Sequence, residues 1–352
     1  MQGSNNKTIL SGLTSDEMRP ILSNYPSFRS SQIYKWIISG IDSFEGMNNL
    51  PLPLRRELAE KCTLNPGKVT STQRDTDGTV KLAISMDDGA VIEAVIIRDG
   101  KDRITACLST QAGCPAGCVF CKTGMIGYKR NLTASEIASQ FLLLKKNEKG
   151  ISHIVIMGMG EPLLNLDELR KAINFFTDKK GLNISKRRIT VSTYGIAKGI
   201  LDLANNGPDI RLALSLTTAN DELRQRLIPA SRENPLPRVK EALLYYQKKA
   251  KRRITLEMVL LKGINTGASD AKAVREFAQG MDTVINLIPW NPVEGIEFEG
   301  VPLCAPTQKE ITDYALALEN EGLKVTLRLK KGRGISGACG QLGSTSTSKL
   351  ES

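Results

Sequence analysis

The chain has 352 residues, 41% hydrophobic and 24% charged, with a formal net charge of +11 and an isoelectric point near 9.3. That length allows about two domains and a sizeable core, the composition excludes a disordered or fibrous class, and no apolar run reaches the ~18 residues a membrane span needs. The cation excess points to a polyanion such as RNA or DNA, with charge serving only solubility as the alternative; the single histidine, His153, nearly excludes histidine-based acid–base or metal chemistry.

The opening M-Q-G-S-N-N-K has no apolar stretch behind a basic start, so no signal peptide is expected. Seven cysteines, clustered and odd in number, do not resemble a secreted disulfide framework, and a reducing cytoplasm is expected. Residues 1–64 read as a small helical domain, plausible for RNA docking. Ser15-Asp16-Glu17 offers a helix start, and Ile33, Trp36 and Ile37 share a helical face. Residues 65–103 change period. Asp77-Gly78 and Asp88-Gly89 are hairpin turn signals, and Thr79–Ile84 and Ala90–Ile97 flank the second. Glu93 sits inside that apolar strand, either facing outward or reaching over an active centre.

From residue 104 to 330 strand and helix alternate. Strands are expected at Ile104–Ser109, Ile151–Met157, Arg188–Ser192, Ile210–Leu216, Ile254–Leu261, Val284–Pro289 and Leu323–Arg328. Capping boxes at Thr133–Glu136 and Thr307–Glu310 start two of the intervening helices, and Asn165 starts another. Others are expected near 196–206, 235–250 and 269–279. Six strand–helix units and a closing strand make an α/β fold with a parallel sheet, short of the eight units of a full barrel. An open, partial β/α barrel of about six units is preferred over a doubly wound sheet. Either way the chemistry belongs at the carboxyl ends of the strands. Residues 331–352 form a tail that is glycine-rich before Cys339, and its last ten residues look disordered.

Four cysteines fall between Cys107 and Cys121, and Cys114, Cys118 and Cys121 follow C-x3-C-x2-C. Gly113, Pro115 and Gly117 make this run a loop. Three nearby thiolates suit iron–sulfur or zinc. A structural zinc site wants a fourth protein ligand, usually from a second C-x2-C pair, and none is present. A 4Fe-4S cluster on three cysteines leaves one iron open. Met157-Gly158-Met159-Gly160-Glu161-Pro162 follows an apolar strand; its glycines allow close backbone approach and Glu161 can accept from an ammonium group. Cys107 and Cys339 read as a carrier and a resolving thiol, as buried or spare thiols, or as a fourth cluster ligand. Cys62 and Cys304 read as buried or incidental. Basic runs at Lys129-Arg130, Lys186–Arg188, Lys248–Arg253 and Lys330–Arg333 support phosphate contacts and salt-dependent binding.

C-x3-C-x2-C is the signature of radical S-adenosylmethionine (SAM) enzymes. Together with G-Y-K-R-N-L-T at 127–133, M-G-M-G-E-P-L at 157–163, S-T-Y-G at 192–195, N-L-I-P-W-N-P at 286–292, A-C-G-Q-L at 338–342 and F-R-S-S-Q-I-Y-K-W at 28–36, it resembles the RlmN family across nearly the whole chain. These are dual-specificity ribosomal and transfer RNA adenine carbon-2 methyltransferases. The resemblance implies one 4Fe-4S cluster on Cys114, Cys118 and Cys121. It implies a SAM site lined by Gly160, Glu161, Ser192, Ser215, Leu216, Thr217 and Asn291. It further implies Cys339 as methyl acceptor, Cys107 as its transient disulfide partner and Glu93 as proton acceptor. A flavodoxin- or ferredoxin-type electron donor and a monomeric state, with no membrane partner, complete the expectation. Three positions depart from the family pattern: Thr217 where His is common, Thr266 where Asp is common, and Gly334 where an acid is usual. They leave substrate identity open. The competing readings are a related enzyme methylating carbon 8 of the same ribosomal adenosine, a divergent paralogue acting on another RNA, a radical SAM enzyme of another class, and a non-catalytic RNA-binding iron–sulfur protein.

Overall fold

The computed structural model describes residues 7–100, 103–328 and 331–343. One ten-stranded sheet organises it: β1 (Gly67–Arg74), β2 (Val80–Met86), β3 (Val91–Asp99), β4 (Arg103–Cys107), β5 (His153–Ile156), β6 (Ile189–Thr193), β7 (Arg211–Ser215), β8 (Ile254–Leu260), β9 (Thr283–Pro289) and β10 (Val325–Leu327). The spatial order follows the chain order without a break. β1 to β4 pair antiparallel, and β4 to β10 pair parallel.

The order settles the architecture. A doubly wound sheet reverses direction at a switch point; here every crossover advances by one strand, as in a barrel. β10 and β1 are opposite edges, so the barrel is open. The crossover helices of the parallel region include Ala134–Asn147, Leu166–Thr177, Ala197–Asn206, Leu236–Ala250, Ala268–Ala278 and Gln308–Asn320. Both expected capping boxes form, at Thr133 and Thr307. Asn165 behaves differently: its side chain makes no cap and donates instead to the carbonyls of Thr110 and Leu132 at 2.9 and 2.7 Å. That choice ties the helix to the cysteine loop rather than to itself.

The antiparallel hairpin expected over 65–103 forms, and it continues the main sheet. Val95 pairs with Cys107 and Ile97 with Thr105. Gly78 and Gly89 close its turns at positive φ. Toward the amino terminus, the helices Phe28–Ser39 and Leu52–Lys61 bury Ile33, Tyr34, Ile37, Leu54 and Leu58. Trp36, expected on the core face, is half-buried and bonds Asn49 through its indole N–H. No regular helix follows Ser15; the segment makes turns and then a short 3-10 helix at Pro20–Leu22, because proline supplies no N–H to extend an earlier helix. A single hydrophobic cluster runs from these helices to Leu318 and Leu342. A second, smaller one surrounds the cysteine loop with Phe120, Tyr194, Leu227, Ile228 and Trp290. Among the described residues no helix is long and apolar enough to cross a membrane. The disorder expected of the last ten residues falls, from 344 onward, outside the described residues, as does Lys330 of the basic run.

Candidate active site

The loop after β4 is shaped by its glycines. Gly113 has φ +79°, and a Cβ there would lie 1.7 Å from the Gly127 carbonyl oxygen. The same carbonyl accepts the N–H of Cys114 at 3.0 Å. Any side chain at 113 therefore breaks the bond that aims the first cysteine. Gly117 also has positive φ, and Gly124 passes against the Cys118 backbone. Trp290, just past β9, donates its indole N–H to the Phe120 carbonyl at 2.9 Å, fixing the loop to the far side of the barrel.

Cys114, Cys118 and Cys121 line one cavity of about 160 Å³ at the carboxyl ends of the strands, with Gly160, Glu161, Ser192, Ser215, Thr217, Asn291 and Cys339. Burial pushes the Cys114 thiol up to about 12 and raises Cys118 well above its ordinary value. Thiols so desolvated become thiolates only against a bound cation. Among the described residues no three His, Cys, Asp or Glu side chains group tightly enough to chelate one ion. The three sulfurs around a shared cavity suit a polynuclear cluster, whose ligand atoms stand farther apart than those of a single metal.

The remaining lining suits SAM. Gly158 and Gly160 pass so close to Leu108, Ser109 and Gln111 that a Cβ on either would lie under 3 Å from them. Glu161 is buried; its carboxylate accepts from the N–H groups of Leu163 and Tyr194 at 3.0 and 2.9 Å. Burial nevertheless pushes it up to about 7, so the site holds a carboxylate in want of a cation, which an ammonium group supplies. The Ser192 and Ser215 hydroxyls are 3.0 Å apart. Thr217 Oγ1 and Asn291 Oδ1 are buried without a hydrogen-bond partner. Thr217 also has φ +62°, a strained state for a β-branched residue. Orphaned polar atoms beside a buried carboxylate are what a polar ligand satisfies. Leu216, expected among the lining residues, is fully buried in the core and contributes its carbonyl to Arg224.

The tail enters this cavity. The Asn291 amide donates to the Cys339 carbonyl at 3.2 Å, and Lys122 N–H to the Gly340 carbonyl at 2.8 Å. Thr123 Oγ1 donates to the Leu342 carbonyl at 2.7 Å. Farther back, Asp77 and Asp75 accept the N–H groups of Gly332 and Gly334 at 2.8 and 2.9 Å. Cys339 is exposed and lines both the 160 Å³ cavity and a second one of about 610 Å³. Desolvation raises its thiol, and Arg328 offsets part of that. Cys107, buried in β4, is pushed up to about 12 by burial, then by Cys339, with Arg328 again opposing. The two thiols are thus electrostatic neighbours under one guanidinium.

Glu93 lines neither cavity. Fully buried, it pairs with Lys81 at 3.3 Å and accepts the Gly343 N–H at 2.6 Å. Lys81 in turn reaches the Ser336 carbonyl at 3.3 Å. Sequence reasoning missed Lys81, Glu257 and Arg328. A charged residue inside an apolar strand singled out Glu93, and the same signal was present at Glu257 in I-T-L-E-M-V-L. Cys62 is buried and Cys304 exposed; neither approaches the site.

A parallel open barrel with three cysteines, a glycine-lined cavity and a buried acceptor at its carboxyl end defines a radical SAM enzyme. Residues 108–274 match the radical SAM superfamily model. Residues 9–64 match the model of the ribosomal RNA large subunit methyltransferase N-terminal domain. The chain is 48% identical to the probable dual-specificity RNA methyltransferase RlmN of Treponema denticola, over 96% of each chain. It is 42% identical to the dual-specificity RNA methyltransferase RlmN of Lawsonia intracellularis, over 93% of each. The crystal structure of a radical SAM methyltransferase from Sphaerobacter thermophilus superposes with a TM-score of 0.90 at 34% identity, covering 96% of this chain and 99% of that one. The chain belongs to the RlmN family of radical SAM methyltransferases.

Proposed function

We propose that this chain methylates carbon 2 of adenosine in large-subunit ribosomal RNA and in tRNA next to the anticodon, through an S-methylcysteine on Cys339. The dual specificity for RNA in the relatives' names supports the substrate class, as does the net charge of +11. The observation that carries the reading is Cys339 itself: a tail thiol in the same cavity as the three loop cysteines, beside a second thiol that the cluster does not need.

Carbon 2 of adenine lies between two ring nitrogens and is electron-poor, so it cannot attack a sulfonium methyl directly. Cys114, Cys118 and Cys121 would hold a 4Fe-4S cluster, and Gly160, Glu161, Ser192, Ser215, Thr217 and Asn291 would hold SAM; together these groups would supply hydrogen-abstracting radical chemistry, as a 5′-deoxyadenosyl radical. Cys339 acts first as a thiolate nucleophile and acquires a methyl group. After losing a hydrogen atom, its S-bound carbon bonds to adenine carbon 2. Glu93 accepts the proton from carbon 2, and the adduct's one surplus electron would return to the oxidised cluster, which closes the shell before the next step. Cys107 then attacks the Cys339 sulfur as a thiolate; an S–S bond forms, the C–S bond breaks with its electron pair staying on the methylene carbon, and that carbon takes up a proton to become the methyl group of the departing base. Arg328 stabilises both thiolates. Because Glu93 is bonded to Gly343, its proton chemistry is tied to the position of the tail that carries the methyl group.

In this reading residues 1–64 dock RNA, 65–103 anchor the tail, 104–330 form the catalytic core and 331–352 carry the methyl acceptor. The enzyme acts as a cytoplasmic monomer with a flavodoxin- or ferredoxin-type electron donor. The test is gene deletion followed by nuclease digestion and mass spectrometry of ribosomal and transfer RNA. Loss of 2-methyladenosine from both pools is expected. Unchanged 2-methyladenosine overturns the assignment, and loss of 8-methyladenosine instead reassigns the carbon.

A further inference from the structure

The 610 Å³ cavity opens at the amino-terminal ends of the parallel strands, opposite the cysteine loop. Its walls include Thr105, Thr190 and Thr255, and its mouth carries Arg103, Arg211 and Arg253. These three arginines are exposed. Neighbouring Arg252 is paired with Asp209, whereas Arg103, Arg211 and Arg253 make no ion pair among the described residues. They repel one another: after partial burial, Arg103, Arg252 and Arg253 hold Arg211 below its ordinary value. His153 at the same rim is lowered by burial and by Arg103, Arg188 and Arg211. The acids on the lining are Asp99, across the β3–β4 register from Arg103, and Glu257, deeper in and bonded to Asn286 at 2.7 Å. A repulsive ring of unpaired cations raises the free energy of the free protein, and a polyanion relieves it. The cavity shares Met157, Glu257, Ile288, Asn291, Arg328 and Cys339 with the smaller one, so its floor includes the Cys339 thiol.

Resting on the functional reading above, we propose that RNA enters the barrel from the amino-terminal ends of its strands, the target adenine descending toward Cys339 while Arg103, Arg211 and Arg253 bind the phosphates that flank it. SAM and RNA then occupy opposite chambers and meet only at Cys339. The volume suits one extruded base, since pockets for compact ligands run ~300–1,000 Å³, and an adenine inside a duplex has to leave its stack to reach it. The strand crossovers place the radical chemistry at one end of the barrel, and the open other end takes the polymer.

The experiment compares two triple variants of the full chain, R103S/R211S/R253S at the mouth and K198S/K272S/K309S on exposed positions of three crossover helices, none of which lines the cavity. Iron content after anaerobic reconstitution and the thermal midpoint report folding. Affinity for a fluorescein-labelled adenosine-containing RNA hairpin is measured against salt. The mouth variant is expected to bind tenfold or more weaker, and its log–log salt slope to shrink by about 2, as for three lost phosphate contacts on single-stranded RNA. The lysine variant is expected to change both by less. Equal losses in the two variants, or no loss in the mouth variant, overturn the proposal. If R103S/R211S/R253S does not fold, the singles R103K, R211K and R253K, which keep the charge, against R103S, R211S and R253S decide by the same comparison. Wild-type protein that binds the hairpin through these arginines yet leaves its RNA unmethylated refutes the functional reading, not the docking site.

Discussion

The cysteine loop and the tail bring sulfur to the same cavity by opposite means. Between residues 107 and 131 the geometry is local: Gly113, Gly127 and Cys114 share one carbonyl, and the three cysteines are spaced by the chain itself. Between 331 and 343 a short 3-10 helix at Arg333–Ile335 and a few local bonds shape the chain, but distant residues hold it in place. Cys339 is held by Asn291, and its flanks by Asp75, Asp77, Lys81, Lys122, Thr123 and Glu93. A motif search sees the first kind of site and not the second.

If the division is real, the two regions break separately. Cys118→Ser is expected to abolish both RNA methylation and the brown 4Fe-4S absorbance, whereas Cys339→Ala abolishes methylation with iron content retained; loss of iron in both contradicts the division. Gly113→Ala combines a clash with a positive φ and is expected to destabilise by about 3 kcal/mol, read as a lowered denaturation midpoint and poor reconstitution. Glu161→Gln probes the acceptor between loop and tail. A carboxyl raised to about 7 favours folding below its unfolded range and loses that contribution as pH rises toward 7 and above. Metal-free Glu161→Gln is therefore expected to exceed wild type by about 2 kcal/mol at pH 8, with the gap closing toward pH 4. A constant difference across that range contradicts the cause given. The smallest effect is at the tail anchor: Asp75→Asn, which weakens the bond from the Gly334 N–H, is expected to cost about 1 kcal/mol. Amide exchange at 332–343 should accelerate and RNA methylation slow several-fold, with the loop and its iron untouched.

The seven parallel strands were legible because each is a short apolar run between polar turns, and their ends differ from expectation by a residue or two at most sites. The order of the strands was legible only as a preference, since periodicity does not say which neighbour a strand takes. Leu216 came from the resemblance alone; its side chain is buried in the core, a placement that alternation along a strand end does not reveal. Glu93 stood out as a charge inside an apolar strand, expected to face outward or to reach over the active centre; it is instead buried against Lys81, two residues along the neighbouring strand from its register partner Ala83, and such cross-strand pairing is invisible in one dimension. Arg328 and Glu257 come together only when β8 and β10 curl around the barrel.

The bonds from the Lys122 N–H and the Thr123 hydroxyl to the carbonyls of Gly340 and Leu342 have a consequence for biogenesis. The residues directly after Cys121 lie against tail residues 340–343, which are synthesised more than two hundred residues later. During synthesis the nest for iron and sulfide stands uncovered while its lid is still being made. Metal delivered then meets an open door; metal delivered to the finished protein has first to prise that lid away.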